Sequence, residues 1–204
     1  MTDAPKIRPL ADVTDVLMGR RVRLRPATLD DVPAFTALFS DPAVTKWWPA
    51  PDPAAEAAEH ATPGGDGPDG VRWAIELPGA GGPGGPGLVS TDVIGLIQAY
   101  EETDPEFRSA GIDIALTAAI HGRGLGPDAI RAVARFLFAR GHHRLTIDPA
   151  AANERAIRAY TAVGFRPVGT LRAYQLLPPD GWVDGLLMDM LAGELLEAAA
   201  EPGG

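Results

Sequence analysis

The stretch from Gly111 to Gly141 constrains this chain more than any other. Ile112, Ile114 and Leu116 alternate with Asp113, Ala115 and Thr117, the period of a half-buried strand with aliphatics on one face and Asp113 on the other. His121-Gly122-Arg123-Gly124-Leu125-Gly126-Pro127 follows as a turn. Ile130, Val133, Ala134, Leu137 and Phe138 then recur at helical spacing, and Gly141 stands where a C-cap belongs. A strand that passes through a glycine turn into an amphipathic helix lays that helix on its sheet, which points to α/β layers.

The flanking segments extend this reading. Arg21–Arg25, Val71–Leu77 and Val93–Glu101 read as strands, and Thr28, three residues before Asp31, reads as a helix start. A short helix is expected near residues 53–60. Leu145 and Ile147 belong to a strand that ends at Asp148-Pro149, and Asn153 can cap a second helix that stops before Gly164. Residues 165–171 and 182–191 complete the set, so the fold class expected is α/β with a mixed sheet. Residues 1–19 show no periodicity and read as an N-terminal extension, 20–198 as one domain and 199–204 as a tail. The Gly/Pro-rich stretch within 78–91 can bury almost nothing and reads as a hairpin loop.

Composition removes several function classes. With no cysteine, disulfides, thiolate metal sites and cysteine nucleophiles are all excluded. No apolar run approaches the roughly 18 residues of a membrane span, so a soluble cytoplasmic protein without a membrane partner is expected. A net charge of −9 opposes nucleic acid and suits a cationic partner. His142-His143 with Asp148 could suggest a metal, but histidines after a helix end commonly meet its negative pole, and no metal is expected.

The turn at 121–127 has the makings of an anion site, because its backbone N–H groups and the following helix N-terminus can face one phosphate. It is not a P-loop, since Pro127 and Asp128 follow Gly126 where Lys and Ser or Thr are needed. Its Gly-x-Gly-x-Gly spacing departs from the dinucleotide fingerprint, although Asp148 stands about twenty residues on. The pyrophosphate turn of an acyl-CoA transferase and a glycine turn without function remain. In the segment Asn153 to Phe165, Ile157 and Tyr160 share a helix face, where a lone tyrosine is usually core filler.

Taken together, the glycine turn, its helix, the strand to Asp148 and Asn153–Phe165 resemble the acetyl-CoA half of the GNAT acetyltransferases. The resemblance implies a GNAT fold, a mixed and mostly antiparallel sheet flanked by helices, with acetyl-CoA as co-substrate. It places the pyrophosphate on His121, Gly122, Arg123, Gly124, Leu125 and Gly126, the pantetheine near Asn153, and the thiol beside Tyr160, which protonates it. His121 replaces the Gln or Arg common there, a small change if backbone groups bind the anion. Val44-Thr45-Lys46-Trp47-Trp48, Tyr100-Glu101-Glu102-Thr103-Asp104-Pro105, Gly111-Ile112-Asp113 and Thr146-Ile147-Asp148-Pro149 are further similar, in order and spacing, to the aminoglycoside 6′-N-acetyltransferases.

That narrower resemblance implies acetylation of the 6′-amine of an aminoglycoside, a small polycation, by direct attack, and hence antibiotic resistance. A micromolar complex needs about 8 kcal/mol. Exposed ion pairs supply roughly 0–1 each, so a partly desolvated acidic cluster is required. Glu101, Glu102, Asp104, Glu106 and Asp113 against Arg108 offer one, or else a solvated loop. Trp47 and Trp48 would wall a sugar ring or simply pack. Asp113 is the expected general base, on its strand position and on the resemblance alike, with Glu102, Asp104, Asp148 and Asp180 expected at the other ammonium groups. Two alternatives stand beside this: an acyltransferase for a siderophore hydroxylysine or a protein N-terminus, and a module that binds acyl-CoA or antibiotic without turnover. Monomer and homodimer are both compatible.

Overall fold

The computed structural model describes residues 9–62, 70–77 and 93–198. The tail and the Gly/Pro-rich loop expected within 78–91 lie outside the described residues, as do residues 1–8. Among the described residues eight strands form one sheet: β1 (Leu17–Met18), β2 (Arg23–Pro26), β3 (Gly70–Glu76), β4 (Val93–Glu102), β5 (Ser109–Leu116), β6 (Arg144–Ile147), β7 (Arg166–Leu177) and β8 (Gly181–Leu191). Their order across the sheet is β1-β2-β3-β4-β5-β6-β8-β7. Only β5 and β6 run parallel; every other neighbouring pair is antiparallel. The mixed, mostly antiparallel sheet that the resemblance implies is therefore present.

Strand alternation builds a core on each face. Trp73, Ile75, Ile97 and Ile112 meet Ile130, Val133 and Leu137 of α4 (Leu125–Ala139). On the opposite face Ala74, Leu96 and Ala115 meet Phe35 and Phe39 of α1 (Val32–Phe39), and Ala57 of α3 (Pro53–Ala61). The expected start at Thr28 is a capping box closed by Asp31, and the Asp41 carboxylate caps the short α2 (Pro42–Thr45). The remaining helix, α5 (Glu154–Thr161), packs on the α4 side.

One boundary expected from sequence is corrected. The segment before residue 20 is not a loose extension from residue 10 onward: Leu10, Val13 and Leu17 are buried in the α4-side core. Each such side chain contributes about 1.5–3 kcal/mol when fully buried. The Leu10 N–H donates to Glu101 Oε1 at 2.8 Å, and the Trp73 indole N–H to the Asp15 carbonyl at 3.1 Å. A single 3-10 turn and a two-residue strand leave no periodicity to read.

The feature that creates a site is a split in the sheet. Pairing of β5 with β6 covers only Ser109–Gly111 against Arg144–Thr146, while β5 continues to Leu116 along β4. Thr117 N–H donates back to Ile94 O at 3.0 Å. By alternation, Leu116 and Ile114 turn their backbone groups to the other edge, into the gap.

Candidate active site

A cavity of about 740 Å³ fills that gap, within the range of small-molecule sites. Asp113 reaches it from the α1 side of the sheet, and Tyr160 reaches it from α5 on the other side. The split thus lets groups rooted on opposite faces meet.

The glycine turn forms one end. Gly122 and Gly124 have φ of +75° and +74°, and nothing lies within 4 Å of where a Cβ would stand. Glycine is needed there for backbone conformation rather than for packing, and the open side is a cradle for a ligand. Gly124 is the N-cap of the fifteen-residue α4, whose first N–H groups have no partner within the helix. Leu125 and Gly126 line the cavity, whereas Arg123 is outside it, its carbonyl accepting from Arg21 Nη1 at 2.7 Å. The His121 imidazole has both nitrogens engaged, with Leu116 O at 2.9 Å and with the Arg155 guanidinium. Asn153 Oδ1 accepts from Ala156 N at 3.2 Å to cap α5, which leaves the amide N–H groups for another partner.

The titratable groups have unequal surroundings. Burial pushes the Asp113 carboxyl up to about 6; the nearby charge of Asp148 adds to this, and the Gln98 amide, donating at 3.0 Å, opposes it. A carboxylate near 6 takes up protons close to neutral pH, as a general base must. Burial also raises Tyr160 well above an ordinary phenol, with the charges of Asp113 and Asp148 adding and Arg155 opposing. That phenol keeps its proton until a stronger base is formed beside it. Asp148 Oδ2 accepts from Tyr174 OH at 2.7 Å, and this bond is the main cause lifting Tyr174 to about 12. Tyr100 is raised by burial and then by Asp113 and Asp148.

Trp47 and Trp48 both line the cavity, and Trp48 is also packed: it lies against Phe39 and His60, and its indole N–H donates to Glu56 at 2.9 Å. The structure does not bring Glu102, Asp104 or Asp180 into the cavity lining. Glu102 accepts from Asp104 N, and Asp104 from Glu106 N, both at 2.9 Å, so these carboxylates shape their own exposed turn. Glu101 faces away altogether, buried against His142 at 2.8 Å. His142 also meets Leu137 O at the end of α4, as a histidine at a helix C-terminus does. Sequence reasoning missed Gln98, Tyr100, Arg155 and Tyr174. Of these Tyr100 stands in a segment that carries the narrower resemblance, and Arg155 carried a signal of its own, a cation in the first turn of a helix, where the dipole disfavours it.

Among the described residues, no group of three His, Cys, Asp or Glu could hold a metal, and no helix is long and apolar enough to cross a membrane.

Comparison with known proteins agrees with this geometry. Aminoglycoside N(6')-acetyltransferase type 1 of Klebsiella pneumoniae is 36% identical over 107 residues, 46% of this chain and 50% of that protein. The match thus spans half the length of that relative. A kanamycin resistance protein of Rhizobium radiobacter is 41% identical over 83 residues, 40% of this chain and 70% of that one. Aminoglycoside acetyltransferase AAC(6')-Ib, solved with coenzyme A and kanamycin, superposes with a TM-score of 0.64 at 25% identity, covering 85% of this chain and 96% of that one. Mycobacterium smegmatis RimJ with CoA-disulfide, at 21% identity and a TM-score of 0.72, shares the fold. The family profile of the acetyltransferase (GNAT) domain matches residues 21–166, and with a split sheet, a left-handed glycine turn and a half-buried acid sharing one cavity with a buried phenol, the chain belongs to the GNAT acetyltransferases.

Proposed function

We propose that this protein transfers an acetyl group from acetyl-CoA to the 6′-amine of an aminoglycoside. The observation that carries the reading is the placement of Asp113 and Asp148 on one cavity with Tyr160 and the glycine turn. Acetyl-CoA supplies the thioester to be attacked. The turn at Gly122–Gly126 suits its diphosphate, and the Asn153 amide N–H groups suit its pantetheine arm. The inward backbone N–H groups of Ile114 and Leu116 suit a polarised carbonyl oxygen.

Asp113 takes the proton that the attacking ammonium must lose, since only a neutral amine is a nucleophile. The N–C bond then forms as the C–S bond breaks, Tyr160 gives its proton to the departing sulfur, and the phenolate so left takes the second proton that the acylated nitrogen sheds to become the neutral amide. The charge of Asp148 serves a second ammonium of the same substrate. Two carboxylates in one partly desolvated cavity favour a molecule with several amines over one with a single amine. The relatives named for aminoglycosides and kanamycin support the same choice.

The test is thiol release from acetyl-CoA with tobramycin, kanamycin, hydroxylysine and short peptides, beside calorimetry. Turnover on the first two alone is expected. Turnover only on hydroxylysine or peptides overturns the acceptor, and binding without thiol release overturns the enzyme.

A further inference from the structure

We infer that Tyr174, held in the cavity by an irregularity of β7, is a positioning residue that fixes the Asp148 carboxylate for the acceptor's second ammonium. This rests on the aminoglycoside reading above and assigns a role that the reading leaves open.

The irregularity is visible in the strand register. Leu171 partners Gly185 and Gln175 partners Val183, so β7 spends four residues where β8 spends two. The excess bulges outward, with Ala173 at a φ of 47° and its N–H donating to Asp184 Oδ1 at 2.8 Å. A left-handed alanine is a strained conformation, and strain of this kind concentrates at functional sites. Its effect is to bring Tyr174 onto Gly185, where an added Cβ would come within 2.7 Å of the ring, with the hydroxyl on Asp148.

The same hairpin holds the backbone next to Asp148. Leu186 N–H donates to Pro149 O and Ala151 N–H to Asp184 O, both at 2.8 Å, and Ala150 bridges Gly185. The next residue, Gln175, reaches the other wall, donating from Nε2 to Trp47 O at 3.0 Å. Asp148 is therefore held at both its backbone and its side chain by β7 and β8. A phenol that donates to Oδ2 sets the plane of the carboxylate and leaves Oδ1 as the acceptor for an ammonium N–H. Asp113, by contrast, receives its bond from the Gln98 amide of a different strand.

The experiment uses Tyr174→Phe, which keeps the ring over Gly185, with Asp148→Asn and the double variant. Tyr174→Phe is expected to raise KM for kanamycin or tobramycin five- to twentyfold and to leave KM for acetyl-CoA unchanged. In the Asp148→Asn background it should add less than twofold. A second readout needs no acceptor: the chain has three tyrosines, so carbon-13 at Cζ gives three resonances, one assigned by its loss in Tyr174→Phe. Asp148→Asn should bring that resonance's titration from about 12 toward 10. Full additivity of the two substitutions, an unaltered KM for the antibiotic, or a Tyr174 titration indifferent to Asp148→Asn overturns the inference. A wild-type enzyme that acetylates no aminoglycoside overturns the substrate reading, and the inference with it.

Discussion

The two ends of the cavity are built in different ways. The end assigned to the acyl donor comes from one run of chain, β5 through the glycine turn to α4 and on to α5, and its key groups are backbone N–H groups and a helix N-terminus. The end assigned to the acceptor is gathered from β4, β5, the start of the loop after β6, α2 and β7, and acts through side chains. A backbone site depends on conformation and tolerates many side chains. A side-chain site depends on register between strands far apart in sequence, and one misplaced residue alters it.

Substitutions can break or sharpen this contrast. The largest effect is expected at Asp113→Asn, with kcat/KM falling about 10²–10⁴-fold in steady-state assays and coenzyme A affinity unchanged by calorimetry. The same variant should be the more stable protein at pH 7. In the folded protein Asp113 is pushed up to about 6 from the ordinary aspartate value of 3.8. The folded state therefore binds that proton more tightly, and stability is lost as pH rises from about 4 to 6. Relief of this penalty is worth up to about 3 kcal/mol. It should appear as a higher Tm at pH 7 that vanishes at pH 4. Activity of the wild type should rise with pH through about 6, in the direction of Asp113 deprotonation.

Tyr160→Phe comes next, with kcat lowered about tenfold to a hundredfold and both KM values kept, because the lost proton is needed only as sulfur departs. Gly124→Ala should raise KM for acetyl-CoA about tenfold, the equivalent of the 1–2 kcal/mol of left-handed strain, with the acceptor KM untouched. A change in acceptor KM would break the division between the two ends. Asp104→Asn and Asp180→Asn should each alter kcat/KM less than twofold; a tenfold loss in either would show that the acceptor end reaches beyond the cavity lining.

The same contrast explains what was legible. The strand, turn and helix from Gly111 to Gly141 and the cap at Asn153 could be read directly, because local periodicity and capping chemistry determine them, whereas periodicity gave Tyr160 only a helix face and the resemblance alone implied its role. The acidic stretch reads as one group in sequence, and the structure divides it. Glu101 and Glu102 are neighbours in sequence, yet strand alternation sends Glu101 into a buried pair with His142 while Glu102 caps a turn. The alternation that marks a strand stops at residue 171 in sequence, whereas β7 runs to Leu177, because the bulge interrupts the pattern. Tyr174 and Gln98 become neighbours of the two carboxylates only through the register of β7 on β8 and of β4 on β5, which no local window contains. The backbone of Leu10 likewise finds its partner ninety-one residues away, at Glu101.

Three residue pairs join the parallel strands at the centre of the sheet. Within the sheet the seam between β5 and β6 is thus short, and any occupant spanning the opening acts as a strut between their diverging ends. Filling the site should slow hydrogen exchange at the inward amides of Ile114 and Leu116 and raise the unfolding temperature as RT ln(1 + [L]/Kd) requires. Occupancy and rigidity are in that sense one measurement.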